Sequence, residues 1–101
     1  MNIESWNKFT LHQKLGNIGS EVARARTWDE KRDTLARNMA LERVLEMLEG
    51  ILNDNIRVAA KKELTIAKQL IVIWRHDGKE LRYSPRLLEE YFTQFAYLKN
   101  T

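Results

Sequence analysis

Two histidines, three serines and two pairs of adjacent carboxylates are the residues of this chain whose types could support catalysis. His12 and His76 fall in different predicted helices, and neither lies in an H-E-x-x-H or E-x-x-H pattern, so their spacing does not indicate a zinc site. Adjacent carboxylates such as Glu89 and Glu90 point about 100° apart on a helix and do not converge as an acid and a base. None of the serines has a base at a recognisable spacing.

The patterns of other enzyme classes are also incomplete. The glycines at positions 16 and 19 lack the lysine and the preceding strand of a phosphate-binding loop. The R-x-x-x-x-x-H spacing of helical ribonucleases is missing, because Arg75 directly precedes His76. The chain has no cysteine, which excludes disulfides and thiolate metal sites. The sequence therefore predicts a protein that is not an enzyme, with no catalytic residue, no metal, no cofactor and no small-molecule substrate.

Three basic residues, Lys61, Lys68 and Arg75, recur at seven-residue spacing and share one edge of a predicted helix. Such a stripe could bind nucleic acid. The alternative is structural. If this helix is antiparallel to the preceding one, the stripe faces Glu42 and Glu49 along the edge where the two apolar helix faces meet. We favour the interpretation in which these charges form interhelical ion pairs that select the helix pairing.

The other basic residues gather around two predicted joints between helices. Those near the first joint are Arg24, Arg26, Lys31, Arg32 and Arg37, and those near the third are Lys79, Arg82 and Arg86. In an up-down bundle these two joints lie at the same end, with Trp28 and Tyr83 close by. Basic groups beside aromatic rings are typical of surfaces that bind phosphate and stack exposed bases. Because five carboxylates share this end, a solvated surface without a ligand is the alternative.

These groups are positioned by helices, because three stretches repeat apolar residues four and three apart. The first contains Leu11, Leu15, Ile18, Val22 and Ala25, the second Leu41, Leu45, Leu48 and Leu52, and the third Ala60, Leu64, Ala67, Ile71 and Trp74. This spacing averages about 3.5 residues and gives one narrow apolar seam on a helix and none on a strand. With a fourth helix carrying Leu88, Phe92 and Phe95, the sequence predicts an all-α fold, an up-down-up-down antiparallel four-helix bundle.

Local signals predict where the four helices begin and end. The predicted bounds are Thr10 to about Arg26, a second helix capped by Asp29 or Asp33 and ending near Asn53, Ile56 to His76, and a fourth helix opened by Ser84 and Pro85. Thr10 and Gln13 have the form of a capping box. Gly78 is predicted to be the left-handed cap that ends the third helix. Inside the first helix, Gly16 and Gly19 are expected to allow the close approach of another element.

Length and charge set the remaining expectations. A chain of 101 residues predicts a single domain over 1–101, with residues 1–9 as an N-terminal arm that holds Trp6 and Phe9. A net charge of +3 permits binding to a polyanion without requiring it. No apolar run approaches the roughly 20 residues that span a bilayer, and residues 1–10 lack the core of a signal peptide. We therefore expect a cytoplasmic protein without membrane contact.

Three segments carry a resemblance to a known group of proteins: residues 15–22 (LGNIGSEV), 40–46 (ALERVLE) and 90–96 (EYFTQFA). Together they resemble small prokaryotic four-helix-bundle proteins, a group that includes the intervening-sequence proteins of large-subunit ribosomal RNA genes and the accessory variability determinants of diversity-generating retroelements. The resemblance implies a non-enzymatic homo-oligomer, often a ring of five copies. In the retroelement members a basic surface binds a reverse transcriptase and its RNA. The basic residues that the resemblance carries over are Arg24, Arg26, Arg32, Arg37, Arg57 and Lys62.

The leading hypothesis is therefore a non-catalytic accessory protein that oligomerises and binds RNA, or a reverse-transcriptase-type protein, through a basic surface. The predicted nucleic-acid-binding residues are Arg24, Arg26, Arg32, Arg37, Arg57, Lys62, Lys79, Arg82 and Arg86. The alternative is an adaptor or complex subunit without nucleic-acid contact, whose interface would use the aromatics Trp6, Trp28, Tyr83, Tyr91 and Tyr97. A hydrolase or nuclease that depends on His76 is the third hypothesis.

Overall fold

The first helix begins at the capping box that the sequence predicts. In the computed structural model, which describes residues 8–97, the Thr10 hydroxyl accepts a hydrogen bond from the Gln13 backbone N–H at 3.1 Å, and the Gln13 side chain accepts one from the Thr10 N–H at 2.8 Å. This reciprocal pair satisfies two backbone donors that a helix start otherwise leaves unpaired. Helix α1 then runs over Leu11–Glu30. The expectation for Trp6 lies outside the described residues, and Phe9 is 41% exposed.

Three further helices complete the described part of the chain. They are α2 (Thr34–Leu52), α3 (Val58–His76) and α4 (Pro85–Thr93), with short 3-10 turns at Gly78–Glu80 and Gln94–Tyr97. Residues 8–97 contain no strand, and the radius of gyration of 13.1 Å is typical of a compact domain of this length. The all-α class is therefore confirmed, whereas the up-down-up-down order stays a prediction. Within the same residues, no helix combines the length and the apolar character needed to cross a membrane.

The first joint is shorter than the sequence predicts. Helix α1 continues past Arg26 to Glu30, so that only residues 31–33 separate it from α2. Asp33, rather than Asp29, caps α2, because its Oδ1 accepts a hydrogen bond from the Ala36 N–H at 3.0 Å. The tight joint places Arg32 in the left-handed region with a φ of 60°, which is uncommon for a residue other than glycine.

The prediction that Gly78 ends α3 in a left-handed conformation is wrong. No glycine among the described residues has a positive φ, and α3 ends at the extended residue Asp77. The Asp77 carboxylate accepts a hydrogen bond from the Lys79 N–H at 2.9 Å and so caps the following 3-10 turn. A Cβ at position 78 would stand 2.9 Å from Nη1 of Arg37, so any larger residue there requires the end of the arginine side chain to shift.

The core takes residues from each predicted seam and from Leu88 and Phe92 of the fourth helix, but α2 buries more than its predicted seam: Leu45 and Leu52 are only partly buried, whereas Ala40, Val44, Met47 and Ile51 are buried. Among the described residues, sixteen apolar side chains are buried, and they come from all four helices. Helix α1 packs against both α2 and α4, whereas α3 packs mainly against α2. As a result α3 keeps apolar side chains at its surface, among them Ile66, Val72 and Ile73, which are 59%, 46% and 37% exposed.

Gly19 brings α1 and α4 into direct backbone contact. A Cβ on Gly19 would lie 2.6 Å from Cγ2 of Thr93 and 2.9 Å from its backbone nitrogen. The expectation that Gly19 allows another element to approach closely is therefore confirmed, and the approaching element is the end of α4.

Ion pairs join α2 to α3 as the heptad register predicts. Lys68 binds Glu49 with an Nζ–Oε2 distance of 2.5 Å, and Arg75 binds Glu42. Each step of seven residues forward along α3 moves the partner seven residues back along α2. The same step would set Lys61 opposite residue 56, beyond the end of α2, and Lys61 is exposed. The structural interpretation of the basic stripe is thus confirmed for two of its three residues.

Candidate nucleic-acid interface

The first and third joints line one open cleft, with a volume of about 470 Å³. Its walls come from the end of α1, the start of α2 and the turn after α3. The lining residues are Asp29, Arg32, Thr34, Arg37, His76, Asp77, Gly78 and Lys79. Three cations face two carboxylates, so the cleft has one net positive charge when His76 is neutral.

Arg37 forms the floor of the cleft and is 7% exposed. Its Nη1 donates to Oδ1 of Asp29 at 3.0 Å, and its Nε donates to Oδ1 of Asn38 at 3.1 Å. The contact with Asp29 ties α2 to the last turn of α1. Because two of the donor atoms of the guanidinium already have partners, Arg37 has fewer donors available to bind a ligand. Arg37 is therefore mainly a structural residue of the cleft.

Trp74 lies beneath the same floor and is completely buried. Its indole Nε1 has no hydrogen-bond partner among the described residues, and it lies 3.8 Å from the point where a Cβ would stand on Gly78. A buried donor without a partner costs about 1–3 kcal/mol. Its ring nevertheless fills the core between α3 and the cleft.

We expect Trp74→Phe to change the free energy of unfolding by less than about 1 kcal/mol, because removing the unpaired N–H offsets the loss of ring volume. Urea denaturation followed by circular dichroism measures this change. A loss above about 2 kcal/mol would contradict this offset and show that the lost ring packing dominates.

The rim of the cleft carries the cations that remain available. Arg32, Lys79 and Arg82 are exposed, and none of them forms an ion pair within residues 8–97. Arg32 and Lys79 belong to the cleft lining, and Arg82 lies two residues beyond the end of the 3-10 turn. On the α1 side of this end, the Lys31 ammonium lies 5.2 Å from the centre of the Trp28 ring. This end therefore combines solvent-facing cations with an aromatic side chain.

The left-handed backbone of Arg32 makes a testable prediction about stability. Arg32→Gly is expected to raise the free energy of unfolding by about 0.5–1 kcal/mol, because glycine adopts a φ of 60° without the steric cost that other residues bear. Thermal melts of both proteins measure the change. Arg32→Asn tolerates the same φ and is expected to lie between them, whereas equal melting temperatures for all three would exclude strain at this joint.

Three of the predicted binding residues are instead engaged by neighbouring carboxylates. Arg24 binds Glu21 at 2.6 Å, and Arg86 binds Glu90 at 3.2 Å. Arg26 reaches two partners: its Nη1 lies 3.0 Å from Glu30, and its Nη2 lies 3.3 Å from Glu89 on α4. These arginines stabilise helices and the α1–α4 contact, which leaves them poorly suited to bind phosphate.

The structure separates the last two predicted residues from the cleft. Arg57 precedes the first residue of α3, and Lys62 lies in its first turns, whereas the cleft lies beyond the last turn. A helix of 19 residues is roughly 28 Å long, so these cations belong to a different surface. Both are exposed.

Sequence reasoning missed His76 as a cleft residue, and it placed Asp29 and Asp77 among the five carboxylates that dilute the basic end, with Asp29 also a candidate cap of the second helix. The signal that could have identified them is their position at helix ends, where side chains of two joints converge. Within residues 8–97, no group of three or more histidine or carboxylate side chains could hold a metal ion. The excess of cations over carboxylates in the cleft lining favours binding of an anion.

Comparison of the chain with protein-family models, with curated proteins and with solved structures finds no match.

Proposed function

We propose that this protein is a non-catalytic accessory protein that binds RNA through the rim of the cleft between its first and third joints. The observation that carries the proposal is that Arg32 and Lys79 line the cleft, that Arg82 follows Lys79 by three residues in the third joint, and that all three are exposed without a carboxylate partner within residues 8–97. Lysine and arginine side chains that neutralise phosphates provide most of the affinity of sequence-independent RNA binding. Trp28 adds a ring that can stack an unpaired base. An RNA-bound protein, such as a reverse transcriptase, is the partner class that the resemblance adds.

The proposal includes a cytoplasmic, homo-oligomeric bundle with up-down-up-down helices. The opposed numbering of the Lys68–Glu49 and Arg75–Glu42 pairs supports an antiparallel α2 and α3. The apolar side chains exposed on α3 support self-association, because exposed apolar surface marks contact sites when it is contiguous. Size-exclusion chromatography with light scattering measures the oligomeric state directly.

Binding of a labelled, structured RNA at two salt concentrations tests the proposal. We expect binding that is measurable by fluorescence anisotropy at about 50 mM salt and a strong loss of affinity at about 200 mM, because protein cations release the salt cations condensed on the RNA and higher salt opposes that release. Absence of binding at the lower salt concentration, or affinity that does not change with salt, would contradict an electrostatic interface.

A purely protein-binding adaptor is the second candidate, and the exposed side chains of α3 favour it. Of the aromatics proposed for its interface, Tyr83 and Tyr91 line one groove, and Trp28 lies at the first joint. Reversing the charges of Arg24 and Arg26 distinguishes poorly between RNA binding and protein binding, because both arginines form ion pairs within the fold. The cations of the cleft rim are the better choice, since they have no such partners.

A further inference from the structure

A second recess lies away from the cleft, between α3 and α4. Because α4 packs along α1, it leaves a groove of about 140 Å³ beside α3. The walls are Ile66, Ala67 and Leu70 of α3 and Leu88 of α4, and the polar lining residues are Glu63, Tyr83 and Tyr91. The groove is therefore apolar except for two tyrosines and one carboxylate.

Glu63 is the charged side chain of this groove, and it has no cationic partner within the described residues. Its Oε1 accepts a hydrogen bond from the Tyr91 hydroxyl at 2.8 Å. Burial, and then the hydrogen bond to Glu63, raise the pKa of Tyr91 well above its ordinary value, so that the hydroxyl remains a donor. The bond leaves the second carboxylate oxygen as the main acceptor for a ligand.

The two tyrosines extend the attraction for a cation. Tyr83 is 39% exposed and lines the same groove as the half-buried Tyr91. The face of a tyrosine ring attracts an ammonium or guanidinium group within about 6 Å. A negative carboxylate, two tyrosine rings and apolar walls therefore complement a cation that is carried on an apolar stem.

We propose that this groove binds a lysine side chain presented by a partner protein. The methylene stem packs on Ile66 and Leu70, and the ammonium meets the free oxygen of Glu63. Lysine fits better than arginine, because the planar fork of arginine pairs best with both oxygens of a carboxylate, and here Tyr91 already occupies one of them. This site goes beyond the proposed RNA interface and uses none of its residues.

A titration of the protein with a blocked lysine, Nα-acetyl-lysine methylamide, tests the proposal. Protein NMR monitors the titration. We expect weak but saturable binding, with chemical-shift changes at Glu63, Tyr83 and Tyr91. Blocked norleucine, which keeps the stem and lacks the charge, and blocked arginine are expected to bind at least about fivefold more weakly. Equal binding of norleucine would assign the groove to an apolar segment, and equal or tighter binding of arginine would overturn the choice of lysine.

Substitutions at Glu63 and Tyr83 measure separately how the carboxylate and the tyrosine ring contribute to lysine binding. Glu63→Gln keeps the size of the side chain and an acceptor for Tyr91, and it is expected to weaken lysine binding about fivefold. Glu46→Gln removes a carboxylate from an exposed position on α2 and is the matched control. Tyr83→Phe keeps the ring and is expected to preserve binding, whereas Tyr83→Leu is expected to weaken it. Binding that is unchanged by Glu63→Gln would overturn the proposal, and RNA binding by the same variant remains an independent measurement.

Discussion

Reversing Arg32, Lys79 and Arg82 together to glutamate is expected to lower the affinity for RNA on the order of 100-fold at low salt. All three side chains are exposed, Arg32 and Lys79 line the cleft, and none of the three forms an ion pair within residues 8–97, so the substitutions act on the ligand rather than on the fold. The salt dependence of binding is expected to weaken as well, because fewer phosphates are neutralised. Anisotropy titrations of one labelled RNA at several salt concentrations measure both quantities.

The far end of α3 supplies a matched control. Arg57, Lys61 and Lys62 are also exposed and form no ion pair in the described part of the chain. Reversing these three residues to glutamate changes the formal net charge from +3 to −3, as the cleft variant does. If the cleft binds RNA, this second variant is expected to lose much less affinity than the first. Equal losses in the two variants would show that net charge alone governs binding, and a larger loss in the control would move the interface to the start of α3.

Helix starts could be predicted from the sequence, because their signals are local. Thr10 and Gln13 form their capping box within a single turn. Ser84 and Pro85 also begin α4 as predicted, although the Ser84 side chain makes no capping hydrogen bond. The fixed φ of proline at the first helical position is therefore the effective signal there.

The predicted ends of α2 near Asn53 and of α3 at His76 agree with the structure to within one residue, whereas the end of α1 and the cap of α3 differ from the prediction. The last turn of α1, beyond Arg26, carries Asp29, which pairs with Arg37 on the next helix. At the end of α3, the carboxylate of Asp77 caps a 3-10 turn and removes the need for a left-handed glycine. The first arrangement requires a residue of another helix, whereas the second is a local hydrogen bond between residues two apart that competes with the glycine cap.

The candidate interface could be predicted in its position but not in its composition. Heptad register and joint order are sequence properties, and they bring the first and third joints to one cleft. Which cations remain available depends on pairing across the fold: Arg26 reaches Glu89, 63 residues further along the chain. The groove with Glu63 depends on where α4 lies beside α3, for which the sequence holds no local signal.

Gly19→Ala is expected to lower the free energy of unfolding by about 1–2 kcal/mol. The new methyl group would lie 2.6 Å from Cγ2 and 2.9 Å from the backbone nitrogen of Thr93, so the end of α4 must move away from α1. Overpacking of this kind costs about 1–3 kcal/mol, and the higher helix propensity of alanine offsets up to about 1 kcal/mol of it. Urea denaturation measures the loss, and faster amide hydrogen exchange in Pro85–Thr93 would locate it.

Gly50→Ala is the control, and it is expected to change the free energy of unfolding in the opposite direction. Gly50 is exposed in α2, so the same substitution is expected to stabilise the protein by up to about 1 kcal/mol through helix propensity alone. The double variant Gly19→Ala/Thr93→Ala removes the closer of the two collisions and keeps the one with the backbone nitrogen, so it should recover only part of the loss. Stabilisation by Gly19→Ala equal to that of Gly50→Ala would mean that α4 does not approach α1 closely. The apolar groove beside α3 would then lack the fixed wall that Leu88 and Tyr91 give it, because both side chains belong to α4.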